Sequence, residues 1–311
     1  MSHCRISARI WGVAPLVNSH PCCAWCRALP MCAQEQKGKF MIDSRDMQAI
    51  GLCRFSYPAL GGFQVEHETI EDRIAFLYAE NRLEERFQLM ETVALPCLRE
   101  QTDPNFEMII VIGDTLPKHH VDRLHDITAN IPQISIVAHE PKPHRPLMKE
   151  LINGARKDPK APCLQFRHDD DDAISVDFFE RFREAVNAVP GLLDNRSVAF
   201  DWNRGIIAEM SDSGIAATDT VRNLYVASLG MYVRGGCPLT IMNFRHGIMN
   251  QFMPTVSFTD TPMWVRTHNG YNDSRQKKVK PVPVEPLTVE QEAEFKARFA
   301  IDVDQVRATF S

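Results

Sequence analysis

Residues 163–172 constrain the chain more than any other stretch. An apolar run, Cys163-Leu164-Gln165-Phe166-Arg167-His168, stops abruptly at four consecutive carboxylates, Asp169-Asp170-Asp171-Asp172. A short continuous apolar run reads as a strand covered on both faces, and open α/β sheets bind their ligands at the carboxyl ends of such strands. Four adjacent negative charges repel one another, so solvent, basic neighbours or a divalent cation must offset them; Mg²⁺ and Mn²⁺ both accept carboxylate oxygen. Beyond the tract, apolar residues recur at Phe178, Phe179, Phe182, Ala185, Val186 and Val189, a helical period. The unit is strand, acidic turn, helix. An acidic run is also ordinary for a solvated loop or a helix N-terminus. The buried strand in front of it is what favours a site.

The same alternation precedes the tract. Residues 49–55 make an apolar strand that runs into turn-rich residues 56–62. A long helix follows, with Asn81 and Glu84 in capping-box spacing and Leu83, Phe87, Met90, Ala94 and Leu98 along one face. Residues 107–112 form a β-branched buried strand ending at Gly113-Asp114. A helix at 117–129, a strand at 134–138, a basic Pro-rich loop at 140–146 and a helix at 147–156 then lead to residue 163. This predicts an α/β fold, a doubly wound and mostly parallel sheet flanked by helices with right-handed crossovers. After residue 189 the pattern loosens. Strand character returns at 197–202 and 225–233, and residues 242–252 are apolar with Arg245 and His246 embedded. Residues 277–286 read as a basic, Pro-rich linker, and Thr288 with Gln291 caps a closing helix to Phe299.

With a net charge of −5 over 311 residues, nothing favours nucleic acid or an anionic membrane as a partner on electrostatic grounds. No apolar run approaches the ~20 residues of a transmembrane helix. Five of the nine cysteines, Cys4, Cys22, Cys23, Cys26 and Cys32, crowd the start. Cys53, Cys97, Cys163 and Cys237 are scattered, as a reducing compartment permits. The expected location is cytoplasmic, with peripheral contact at the inner membrane surface compatible with it. Residues 1–46 lack amphipathic period and make a poor signal peptide, and are expected to be a disordered or non-native N-terminal extension. Cys23 and Cys26 have C-x-x-C spacing without a second ligand pair, and Met41 or Met47 is a natural beginning for the fold.

Several segments in this order resemble a known class. Gln101-Thr102 followed by Asn105-Phe106-Glu107 resembles its helix-to-strand passage; Asp169-Asp170-Asp171-Asp172-Ala173 with Asp177-Phe178 resembles its D-x-D-D element. Trp264-Val265-Arg266-Thr267-His268 with Asn272 and Ser274 is similar to its late His-Gly-x-Asn-x-Ser segment, although Asn269 stands where Gly is usual. The class is the GT-A sugar-nucleotide glycosyltransferases, and the chain looks most like the bacterial rhamnosyltransferase family over about residues 48–274.

The resemblance implies a nucleotide-binding half at 47–190 and an acceptor half at 191–276, followed by the linker and helix of 277–311. It implies a nucleoside-diphosphate sugar as donor, a glycan or lipid-linked acceptor, and Mn²⁺ or Mg²⁺ held by Asp169, Asp171, Asp172 and His268. The D-x-D register can be Asp169/Asp171 or Asp170/Asp172, and the first pair directly follows the strand. Phe55, Asp114, Arg156, Arg167, Asp169 and Asp170 are the expected nucleotide-sugar contacts. An inverting transfer needs a base for the acceptor hydroxyl; Asp260 is the candidate and Glu209 the reserve. Two other readings compete. A metal-dependent phosphohydrolase also follows an apolar strand with D-x-D, but carries Thr or Val where Ala173 stands and places its site on the first strand. A non-catalytic nucleotide-sugar-binding domain is the other.

Overall fold

The computed structural model describes residues 43–62, 67–268 and 282–311, all within the unit Met41–Ser311. Of the extension expected over 1–46, residues 1–42, including Cys23 and Cys26, lie outside the described residues. So do Asn269, Asn272 and Ser274 of the late motif. Residues 43–46 belong to the fold: Ser44–Asp46 form a short turn whose Ser44 hydroxyl donates to the Arg183 carbonyl at 2.9 Å.

In chain order the elements open with β1 (Gln48–Arg54), α1 (Ile70–Leu77), α2 (Glu80–Leu89) and α3 (Leu95–Arg99), then β2 (Glu107–Gly113), α4 (Lys118–Thr128), β3 (Ile134–His139) and α5 (His144–Gly154). The tract is bracketed by β4 (Cys163–Arg167) and β5 (Asp172–Ile174), before α6 (Phe178–Ala188). The second half is mostly strand: β6 (Ser197–Trp202), β7 (Arg204–Ser211), β8 (Gly214–Val221), β9 (Leu229–Val233), β10 (Thr255–Phe258) and β11 (Trp264–Thr267). It closes with β12 (Glu285–Pro286), α7 (Val289–Phe299) and α8 (Val303–Phe310).

Seven strands form the main sheet in the order β10-β6-β9-β4-β1-β2-β3. All its pairs are parallel except those of β9, which runs antiparallel to β4 and β6. Both faces are covered. Alternate residues of β1 divide between two apolar clusters, Ala49 and Cys53 on one side, Ile50 and Leu52 on the other, which is why its sequence is apolar throughout. A smaller sheet, β12-β8-β7-β11-β5, takes up the end of the acidic tract.

Gly51 at the centre of β1 permits the layer beneath. A Cβ there would lie 2.1 Å from the Phe166 ring, and that ring in turn packs edge-on against Phe179 with centroids 4.8 Å apart. The strand that carries the tract is thus locked to β1 through an aromatic ring seated on a bare backbone.

The long helix expected around residues 84–98 is α2 and α3 joined without a break by a π-helical turn, Met90–Ala94. Pro96 accounts for the widening, since it has no N–H for the regular ladder. The Asn81/Glu84 cap does not form; Ala79 is the N-cap and has no side-chain bond. The Thr288/Gln291 capping box does form. Where one terminal helix was expected there are two, and Phe295, Phe299, Ile301, Val303 and Val306 are all buried in the larger core cluster.

Candidate active site

The strand order reverses between β1 and β4, where chains leave the sheet in opposite directions and open a crevice. A cleft of about 420 Å³ lies there. Arg54 and Gly62 follow β1, and Arg86 comes from α2. His144 and Arg145 open α5, and Arg167, Asp169, Asp170 and Asp171 close β4. Tyr225, Val226, Arg245 and His246 come from the loops around β9, and Arg266 from β11. Six guanidiniums therefore face three carboxylates, a formal excess of three positive charges. A depression of about 540 Å³ between Glu107, Ile134 and Leu151 sits at the opposite, amino-terminal edge of β2 and β3, away from this chemistry.

The acidic tract is held by three neighbours. Arg86 forks across two carboxylates: its Nε donates to Asp170 at 3.0 Å, its second nitrogen pairs closely with the other Asp170 oxygen, and its third donates to Asp171 at 2.8 Å. All three side chains are buried, so the fork offsets charge that solvent does not reach. The His168 ring meets the Ala94 carbonyl at 3.3 Å, a group at the end of the π-helical turn. The Thr267 hydroxyl of β11 donates to the Asp171 carbonyl at 2.7 Å, and β5 pairs with β11 at Asp172↔Arg266.

Environment separates the carboxylates. Asp169 is about one-third exposed, 3.8 Å from Arg167. Although burial works against ionisation, the positive charges of Arg167, Arg266, Arg54 and Arg86 hold its carboxyl below the usual range. Asp172 is fully enclosed with Arg266 at 3.9 Å, and burial pushes its carboxyl well above the usual range. The basic residues are crowded too. Burial, then Arg54, Arg167 and Arg145, press His144 down to about 3, so it is neutral near pH 7. Tyr225 lies under the Arg266 guanidinium at 5.3 Å, its hydroxyl pushed up to about 12 by burial.

Tyr225 reaches the cleft through a strained neighbour. Leu224 adopts φ +54°, unusual for a branched residue. Its N–H donates to the buried Asp201 carboxylate at 3.0 Å and its carbonyl is 2.7 Å from His246 Nδ1, so the conformation is pinned on both sides.

The structure sorts the expected site residues. Arg167, Asp169, Asp170 and Asp171 come together in the cleft. Asp114 is exposed at the carboxyl end of β2, the strand next to β1 on the same sheet edge. Phe55 is enclosed, its ring 4.8 Å from Phe87. Arg156 is at the opposite edge, its guanidinium spent on the carbonyls of Cys237, Pro159 and Ala161 at 2.8 to 3.0 Å, which fixes the turn before β4. Asp260 is bound to Arg181 at 3.0 Å and does not line the cleft. Glu209, exposed on β7, and half-buried His268 also stand outside the lining; His268 feels the charges of Arg266, Glu209 and Asp171. Arg54, Arg86 and Tyr225 are cleft residues that the sequence reading did not single out.

The expected metal ligands do not converge. Among the described residues, the one group of three His, Cys, Asp or Glu ligand atoms lying within 4.8 Å of one another is Glu80, His119 and His120, outside the cleft. In the tract, Arg86 takes up Asp170 and one oxygen of Asp171, and Asp172 is sealed. A cation at the remaining carboxylate, Asp169, would face four guanidiniums at once. These residues do not fit a divalent ion.

A parallel sheet in the order 3-2-1-4, continued through one antiparallel strand, with a cationic cleft at its reversal and an acidic tract passed to a second sheet, defines an α/β protein of GT-A-like architecture. The chain belongs to the family described as "Putative rhamnosyl transferase", which matches residues 48–281. Comparison with curated proteins finds no match. Among solved structures, the chain is similar to Staphylococcus aureus TarS 1–349, alone and in complex with UDP, each at 9% identity and TM-score 0.38 over 71% of this chain. It spans 60% of the TarS chain. A Bacillus anthracis structure described as a "Putative Glucose-1-Phosphate Thymidylyltransferase" is similar at 11% identity and TM-score 0.37, over 71% of this chain and 89% of that one.

Proposed function

We propose that the protein transfers a sugar, rhamnose by its family, from a nucleoside-diphosphate donor to a hydroxyl of a glycan or lipid-linked acceptor. The observation that carries this reading is the cleft itself: six guanidiniums line one crevice beside the carboxyl ends of β1 and β4, in a chain whose net charge is −5. Arginine forks suit phosphate oxygens, and guanidiniums fixed before reaction stabilise the negative charge that grows on a departing diphosphate. Asp169, about one-third exposed at the cleft, is the candidate acceptor for a ribose or sugar hydroxyl.

In an inverting transfer the acceptor oxygen bonds to the anomeric carbon as the bond to the diphosphate breaks, and the acceptor proton passes to a base. Of the two candidates, Glu209 beside His268 is preferred, because Asp260 is committed to Arg181. The family and the place of the tract on the fourth strand of the sheet favour this reading over a phosphohydrolase. The test is calorimetric titration of a panel of nucleoside-diphosphate sugars, dTDP-rhamnose among them, into the protein and into Arg167→Ala. One donor should bind and weaken at least about tenfold in the variant, about 1.4 kcal/mol. If no donor binds, the reading fails. Binding without diphosphate release in the presence of acceptor glycans would instead favour the non-catalytic domain.

A further inference from the structure

We infer that the donor's diphosphate is held by the guanidiniums of Arg54, Arg145, Arg167, Arg245 and Arg266, so that the donor binds without a divalent cation. This rests on the cleft being a nucleotide-sugar site.

Charge accounting comes first. Arg86 is spent on Asp170 and Asp171; the cleft lining holds five further guanidiniums and one further carboxylate, Asp169, with Asp172 sealed 3.9 Å from Arg266. A diphosphate carrying two or three negative charges matches that remainder. A divalent cation would add to it, and Asp169 already has Arg167 at 3.8 Å.

Three of the five guanidiniums are also held in place before any ligand arrives. Arg145 donates to the carbonyls of Met242 at 2.9 Å and Phe244 at 3.2 Å, Arg266 stacks on Tyr225, and Arg54 donates to the Gly62 carbonyl at 3.4 Å. The set comes from four separate segments: the end of β1, the start of α5, the end of β4 and the strand β11, with exposed Arg245 at the rim. Convergence from so many segments, with three planar forks already oriented, reduces the ordering cost of binding a bidentate anion.

The experiment is calorimetric titration of UDP, GDP, dTDP and ADP into the full-length protein, once in EDTA and once with Mn²⁺. The tightest diphosphate should bind in EDTA with a Kd within about threefold of its value in Mn²⁺. Its monophosphate should be at least about tenfold weaker, because it reaches fewer forks. Arg145→Gln should weaken the diphosphate at least about tenfold. Because Arg145 also bonds the Met242 and Phe244 carbonyls, Arg245→Gln is the second variant; its exposed side chain is not needed for folding, and about a threefold loss is expected at an unchanged melting temperature. Binding that appears only with Mn²⁺ overturns the inference and leaves the transferase reading standing. No binding of any diphosphate in either buffer overturns both.

Discussion

Arg86 shows how one side chain makes the acidic tract possible. It sits on α2 at i+4 from Arg82, on the same helix as buried Leu83 and Phe87, and closes on Asp170 and Asp171 from below the cleft. Removing one partner of a buried ion pair leaves an uncompensated charge. Arg86→Met should therefore destabilise the protein by about 3–5 kcal/mol in urea unfolding, and adding Asp170→Asn should recover part of that loss. If the single variant unfolds at the same midpoint as the natural protein, the fork is not what neutralises the tract. The Asp run was legible because nothing else in the sequence looks like it. Arg86 was not, because a run such as Glu84-Glu85-Arg86 reads as the solvated face of a helix; the usable signal was its spacing from Leu83 and Phe87. Leu224 offered no signal at all, since its positive φ is imposed by Asp201 and His246 from outside its own segment.

At the scale of elements, the first half could be read almost strand by strand. β1, β2 and β4 are covered on both faces, so burial writes an apolar run into each, while edge strand β3, only partly buried, is marked by its β-branched residues. The second half could not. β7 and β8 pair with each other as a hairpin around Asp212-Ser213, and β8 is half open to solvent with Ala, Thr and Asp in its middle, a composition that neither alternation nor an apolar run marks. The tract-bearing strand depends on a contact that was equally invisible, the Phe166 ring lying over Gly51. Gly51→Ala should cost about 1–3 kcal/mol through overpacking. The shift of β4 it forces should also weaken nucleoside diphosphate binding, although residue 51 is three positions short of Arg54. Unchanged stability and affinity in that variant would mean that the sheet relaxes without moving the site.

For the whole molecule, the sign of the charge changes with location. An overall acidic chain concentrates six arginines in one cleft of about 420 Å³, so an anionic ligand is repelled in general and attracted at one place. Guanidiniums built into four segments of the fold cannot leave with the spent diphosphate as a loosely bound ion can. If the cleft holds the donor's diphosphate as proposed, letting go of the product becomes the slow part of each cycle. The nucleoside diphosphate should compete strongly with fresh donor, and turnover at saturating donor should rise with moderate salt as screening loosens its grip. A burst of sugar transfer followed by a slower steady rate would register that cost; a linear time course from the first turnover would show that the diphosphate leaves freely.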